Sequence, residues 1–426
     1  MKFKNLLAQS LAWRSVYYIS LLILNIIISR HLMADGAGRL FYLTNLIAFI
    51  QLFLGLTLEN SLTYFGASGK ITSAALFWFS LCWCVLIGII LFLLTFLSAA
   101  GYSFFKDSFF YAFTYIIGLT LANFMSAMFY VKKNFFLPSI LSSLLNLALG
   151  ALIIMSGNAL DEKIIQLYFG LFISHGLLTT VAYTFYDKKV YSISLPSYQD
   201  TKNLLRFALL SLTANIVFFL VYRIDYWFVK NSPVCTAVDL GNYIQASKLG
   251  QMLLIVPQII ASVIFPQTAS GFERETVNNT ITIISRLFSQ CFLLLLIISL
   301  FVGKWFFPFV FGYSFTEMYW PFIFLLPGIF SLSVLTLLSA YFSGKGKIKV
   351  NIAGAFFSLL LVAVGNYFFI PVYGINAAAI ISTVGYSAGM LYSMYCFYKD
   401  YKVNFAGFFK WRLTDYYWLM DVLKKK

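Results

Sequence analysis

The chain has 426 residues, 61% of them hydrophobic and 11% charged, with a mean hydropathy of +0.85 and a formal net charge of +15. Such a composition excludes an ordinary water-soluble surface, because too few polar side chains are present to cover one. The basic excess belongs to the loops of a membrane protein and calls for no nucleic acid.

Apolar runs of roughly twenty residues, the length that crosses ~30 Å of hydrocarbon as α-helix, succeed one another along the chain. Spans are predicted over 6–28, 39–58, 71–98, 109–130, 135–154, 164–185, 203–229, 239–265, 281–302, 318–340, 350–370 and 375–398. They are helices because lipid cannot satisfy an open ladder, and because each is about twice the length of a barrel strand. The fold class is therefore all-α integral membrane, with about twelve transmembrane helices.

An even number of spans places both termini on one side. Lys70, Lys132, Lys133, Lys188, Lys189, Lys345, Lys347, Lys349 and Lys424 to Lys426 share that side, against a few such as Arg30, Arg39, Lys106, Lys163 and Lys304 opposite. The positive-inside rule makes that side cytoplasmic. The N-terminal span reads as retained, since it is full length and has no small-residue cleavage site. Cys82, Cys84, Cys235, Cys291 and Cys396 are scattered, which implies neither a structural disulfide nor a metal site.

The most polar interruption precedes the seventh span, so the chain divides into a six-helix lobe over 1–187, a cytoplasmic linker over 188–202 and a second six-helix lobe over 203–398. A faint repeat supports two lobes: Lys133 and Asn134 precede a span bearing Asn146, while Lys349 and Asn351 precede one bearing Asn366. Likewise Asp35 to Gly38 opens the second span much as Asp239 to Gly241 opens the eighth. The tail, 399–426, places Phe405, Phe409, Leu413, Tyr416 or Tyr417, Met420 and Leu423 at helical spacing among basic residues. That pattern predicts a basic amphipathic helix lying against anionic lipid.

Ionisable residues inside spans cost ~3 kcal/mol each on insertion scales, so each is a candidate for function. Lys248 is the deepest and is expected to line a cavity. Arg14 lies about a third of the way into the first span, from where its stem can snorkel. Arg223 and Asp225 are ~200° apart on one helix, so one faces a cavity and the other a neighbour. With Asp225 inward, Asn215 lies deep on the same side, and the two would attract a coupling cation; a structural salt bridge of Asp225 is the equal alternative. Glu59 closes the second span at the depth of Arg14, either as an ion pair with it or as a coupling carboxylate. His175 is expected to be a hydrogen-bonded packing residue, and Pro257 and Pro327 to kink the eighth and tenth spans.

Three patches carry a family resemblance. They are "ISRHLMADGAGRLFYL" (28–43), "RIDYWFVKNSPVCTAVDLGNYIQASKLGQ" with "FPQTAS" (223–251 and 265–270), and "YFSGKGKIKVNIAGAFF" with "FFIPVYGINAAAIISTVGY" (341–357 and 368–386). On these the chain resembles the Wzx-type polysaccharide (O-antigen) flippases of the multidrug/oligosaccharidyl-lipid/polysaccharide exporter superfamily, with Ala377 where that family's turn carries glycine. The resemblance implies a MATE-like pair of lobes in the bacterial inner membrane, working by alternating access. The cargo implied is an undecaprenyl-pyrophosphate-linked oligosaccharide, moved from the inner to the outer leaflet for O-antigen, capsule or exopolysaccharide assembly. It also implies a basic residue where Lys248 stands, no cofactor beyond coupling to Na+ or H+, and as partners the lipid-linked oligosaccharide, membrane lipids, a polysaccharide polymerase and other assembly proteins.

Lys248, Arg14 and Arg223 are thus the head-group candidates, and Asp225, Asn215 and Glu59 the coupling candidates. A cation-coupled multidrug exporter would need a more acidic cavity than these charges provide. An integral-membrane polymerase or ligase would need catalytic groups in a sizeable external loop, and no Ser/His/Asp set or carboxylate pair stands out, so the chain is not expected to be an enzyme.

Overall fold

The computed structural model describes residues 3–98, 104–157, 160–269, 274–401 and 405–417, and every regular element among them is helical. Ser270, Met420, Leu423 and Lys424 to Lys426, which enter the reading above, lie outside these residues. The α-helices are α1 (Phe3–Gly55), α2 (Leu58–Ala67), α3 (Ser73–Ser98), α4 (Phe104–Val131), α5 (Phe136–Met155), α6 (Asp161–Tyr186), α7 (Tyr198–Lys230), α8 (Ala237–Met252), α9 (Ile255–Ala269), α10 (Arg274–Phe311), α11 (Tyr319–Gly344) and α12 (Ile348–Tyr401). Short 3-10 turns cover Lys188–Tyr191, Tyr313–Met318 and Phe405–Phe408.

The predicted spans are found, some of them fused. Unbroken, the 53 residues of α1 would reach ~80 Å, more than twice the hydrocarbon core, but Met33 (φ 56°) leaves the helical region and separates two spans. In α12 the break falls at Gly374 (φ 61°), the glycine of the Pro-Val-Tyr-Gly turn. A Cβ at Gly385 would lie 2.4 Å from Val362, and one at Gly389 2.3 Å from the Ser358 hydroxyl. As the number rises on one arm it falls on the other, so the two arms form an antiparallel hairpin packed through small residues. The eighth span is α8 and α9, bent by 41°; Pro257 sits in the first turn of α9, where its missing N–H costs no helical bond.

The chain divides into two compact units, Met1–Ile216 and Val217–Lys426. The boundary expected in the 188–202 linker lies instead within α7, and the reason is visible in the first unit. Ser61 on α2 donates to the Leu204 carbonyl at 2.9 Å, Thr57 donates to the Ala208 carbonyl at 3.4 Å, and Tyr64 stacks on Phe207 at 5.0 Å. The linker's first turn is fixed there too. Lys132 pairs with Asp187 at 2.9 Å, Tyr183 donates to the same carboxylate at 3.3 Å, and Trp78 donates to the Val190 carbonyl at 2.9 Å. Burial alone would raise the Asp187 pKa, but hydrogen bonds from Lys132 and Ser73, and the Lys132 charge, outweigh it and hold the carboxyl below its ordinary range.

Each unit is organised around one enclosed helix. Of the most apolar window in each, 78% is buried for α4 and 72% for α11, against 44% or less in the other unbroken spans. α4 meets α6 where Gly118 faces Gly176: a Cβ on Gly118 would fall 2.2 Å from the Phe172 backbone. α11 meets α12 at Gly328, beside Thr383, whose hydroxyl donates to the Phe324 carbonyl at 2.6 Å.

Both enclosed helices end in the same left-handed turn. Asn134 N–H donates to the Phe129 carbonyl with Lys133 at φ 61°, and Lys347 N–H donates to the Phe342 carbonyl with Gly346 at φ 71°. Lys133 and Gly346 occupy the same position in this turn.

The tail differs from the expected single helix. Phe405–Phe408 forms a 3-10 turn, a short helix covers 413–417, and Phe408 is buried in the core of the second unit.

Candidate functional site: a polar cavity in the first unit

Four short polar periodicities converge on one cavity of 510 Å³. α1 contributes Arg14, Tyr17 and Tyr18; α2 contributes Glu59, Asn60 and Thr63; α4 contributes Asn123, Ser126 and Tyr130; α5 contributes Ser139 and Ser142, and α6 closes the wall with His175. On each helix the spacing is three or four residues, which places the polar atoms on one face. Their neighbours in sequence, such as Leu11, Ile19 and Leu144, are exposed apolar side chains of the kind that face lipid.

The Arg14 guanidinium stands over the Tyr130 ring, 5.0 Å from its centroid, and Tyr130 is itself stacked on Phe135 at 5.2 Å. The guanidinium also hydrogen-bonds Tyr130, and its five N–H donors leave others for a ligand. His175 makes its hydrogen bond to Ser142. Because Ser142 spends its one proton on the Pro138 carbonyl at 2.6 Å, the imidazole Nε2 must be the donor. The packing role expected for His175 is present, and it lies on the cavity wall.

Glu59 corrects the sequence reading. It does not close the second span; Leu56 and Thr57 (both φ 50°) end that span, and Glu59 opens the separate helix α2. It shares the cavity with Arg14, yet among the described residues the two form no ion pair. The Asn, Ser, Thr and Tyr residues of the wall were missed in the sequence, where the polar spacing on spans one, four and five was the signal for them.

The remaining candidates belong elsewhere. Asp225, fully buried in the second unit, accepts from Tyr243, from Ser382 Oγ at 3.1 Å and from the Tyr226 N–H at 2.9 Å. Arg223 turns away from it, donating to Tyr226 Oη at 3.4 Å with the guanidinium 5.5 Å from that ring's centroid. The two thus have different hydrogen-bond partners. Asn215 lies on the stretch of α7 that belongs to the first unit. Lys248, half-buried on α8, follows the buried stretch Leu240 to Ser247 in the second unit.

No protein-family model matches the chain, and neither does any curated protein sequence. Solved structures do match along nearly the whole length. A lipid II flippase MurJ in an inward closed conformation aligns at TM-score 0.66 and 12% identity, covering 97% of this chain and 93% of the other. An inward-facing multidrug-resistance MATE family transporter of the MOP superfamily aligns at TM-score 0.66 and 14% identity, covering 97% and 96%. A MOP superfamily transporter from Pyrococcus furiosus, described as having a binding pocket of reverse polarity that suggests a different function, aligns at 0.56 and 16%, covering 92% and 94%. The chain has the fold of MOP-type membrane transporters, as the sequence led one to expect.

Proposed function

We propose that this protein is a flippase that carries a polyprenyl-pyrophosphate-linked oligosaccharide across a bacterial inner membrane for polysaccharide assembly, with both termini cytoplasmic. The observation that carries the reading is the cavity of the first unit: a guanidinium fixed by an aromatic ring, within a wall of amides, hydroxyls and tyrosines. A pyrophosphate needs a cation with several donors, and sugars need neutral hydrogen-bonding groups and flat aromatic faces. The cavity is bordered by the end of α4 and the start of α5, beside Lys132 and Lys133, which is the loading side under this orientation.

Arg14 is assigned to the pyrophosphate, with Lys248 and Arg223 as further cations on the route. Glu59 is assigned to cation or proton coupling, and Asp225, hydrogen-bonded to Tyr243, Ser382 and the Tyr226 N–H, to holding the second unit together. One observation favours a second reading, a cation-coupled multidrug exporter: Glu59 faces the same cavity as Arg14. Because MATE and flippase structures share this fold, the polarity of the cavity must decide between the two.

The test uses the purified protein in proteoliposomes with two cargoes, a fluorescent undecaprenyl-pyrophosphate oligosaccharide and the organic cation ethidium. The flippase reading expects movement of the lipid-linked sugar, lost in Arg14→Ala and partly kept in Arg14→Lys. Ethidium transport that survives Arg14→Ala and stops in Glu59→Gln, with no lipid movement, would establish the second reading instead.

A further inference from the structure

The tail of the second unit is not draped on the protein; it is bolted to α10. Arg286 Nε and one terminal nitrogen donate to the two oxygens of Asp415 at 2.7 and 2.6 Å, and the other terminal nitrogen donates to the Gly407 carbonyl at 2.7 Å. The pair is enclosed, Arg286 being 5% and Asp415 1% exposed. One turn along α10, Trp411 donates to Ser289 Oγ at 3.2 Å and Tyr416 donates to Gln290, while Phe408 enters the core against Phe397 at 5.8 Å. The hydrogen bonds all fall on the stretch of α10 between Arg286 and Gln290.

That stretch has a definite depth. From Phe311, the last residue of α10, a helix rising 1.5 Å per residue uses ~30 Å of hydrocarbon in about twenty residues, which brings Arg286 to Gln290 to the opposite headgroup layer. The docked segment is thus held in the interface, at the end of the unit where α12 finishes.

The charge left on its outer face is of one sign. Residues 405–417 contain a single acid, Asp415, and Arg286 removes it from the surface. The neighbouring acid, Asp400, is taken by Lys347 at 2.7 Å and Lys345 at 3.9 Å. What remains exposed is Lys410 and Arg412 beside Trp411, Leu413 and Tyr417, with Leu413 80% exposed. Cations flanking an apolar and aromatic patch at headgroup depth match anionic phospholipid, whose phosphates meet the cations while its acyl boundary receives the rings.

We propose that residues 405–417 are a docking surface for the anionic headgroups of the surrounding bilayer, fixed to α10 by the Arg286–Asp415 pair. Acidic lipid content is then sensed directly by a transmembrane helix of the second unit. This surface is independent of the cargo carried by the first.

The experiment places a nitroxide at Leu413→Cys in the full-length protein, with its five native cysteines replaced, in phosphatidylcholine vesicles containing increasing phosphatidylglycerol. The label, held on α10 throughout, should become inaccessible to water as the anionic lipid rises. Lys410→Gln with Arg412→Gln, both exposed and harmless to the fold, should shift the midpoint severalfold, in keeping with the roughly fivefold contribution of each basic side chain near an anionic surface. A label that responds equally in the double variant, or is already shielded from water in pure phosphatidylcholine, overturns the proposal and would leave the surface to a protein partner. In Arg286→Gln, shown to be folded by a single sharp size-exclusion peak, the label should stay mobile at every lipid composition. If it docks normally, the pair is not the anchor. Should that variant not fold, Asp415→Asn, which keeps the shape and removes the charge pairing, answers the same question.

Discussion

The two units carry their intramembrane charges in opposite ways. In the first, Arg14 and Glu59 face a cavity whose wall is mostly neutral and polar, and neither is paired with the other. In the second, Asp225 is sealed among Tyr243, Ser382 and the Tyr226 backbone with no exposed surface. Both are ionisable groups in an apolar span, and in a sequence they look alike. The structure separates a group left available to a ligand from one whose hydrogen bonds are spent on its own fold.

The largest expected effect breaks the sealed cluster. Asp225→Ala strands the Tyr243 and Ser382 hydroxyls in a water-free site, and losing buried charge-assisted bonds of this kind costs ~3 kcal/mol. The second unit should lose thermal stability in detergent and the protein should fall in abundance. A variant as stable as wild type would show that the cluster is built for a ligand and not for the fold.

Next comes the open cavity. Arg14→Ala removes a charge-assisted contact, worth about 1.5–3 kcal/mol, so transport should drop on the order of tenfold to a hundredfold. The melting temperature should barely change, because the side chain is half-buried and its one aromatic partner keeps its own stacking. A fall in stability matching the fall in transport would erase the contrast between the units.

The smallest effect sharpens the boundary of the first unit. The Asp187 carboxyl is held below its ordinary range by Lys132 and Ser73, so its stabilising contribution is full above the unfolded pKa of about 3.8. It disappears as pH falls through the lower folded value. Asp187→Asn should therefore be less stable than wild type at neutral pH, and the two should converge in strong acid. A gap that persists unchanged at low pH would mean that shape and not charge fixes the linker.

Some of this was written in the chain in a form that needs no tertiary context. Span number and type follow from run length, because lipid forces each segment to satisfy its backbone internally. The reversal at Gly374 follows from a glycine inside a turn motif. One feature escaped. The unit boundary was drawn at the most polar loop, but Asp187 and the Trp78 indole tie that loop to the first unit.

By itself, then, the sequence determined that this is a helical membrane protein of many spans and which residues carry charge inside them, since hydrophobic run length and helical angle are properties of a local stretch of chain. Only the tertiary structure decided which of those charges is available: Arg14, Glu59, Tyr130, Ser142 and His175 come from five different helices, and Asp415 finds Arg286 across more than a hundred residues of chain. Whether a buried charge meets a cavity or a partner depends on how helices pack side by side, and that contact is fixed by small residues such as Gly118 and Gly328 that carry no chemical sign of what they bring together.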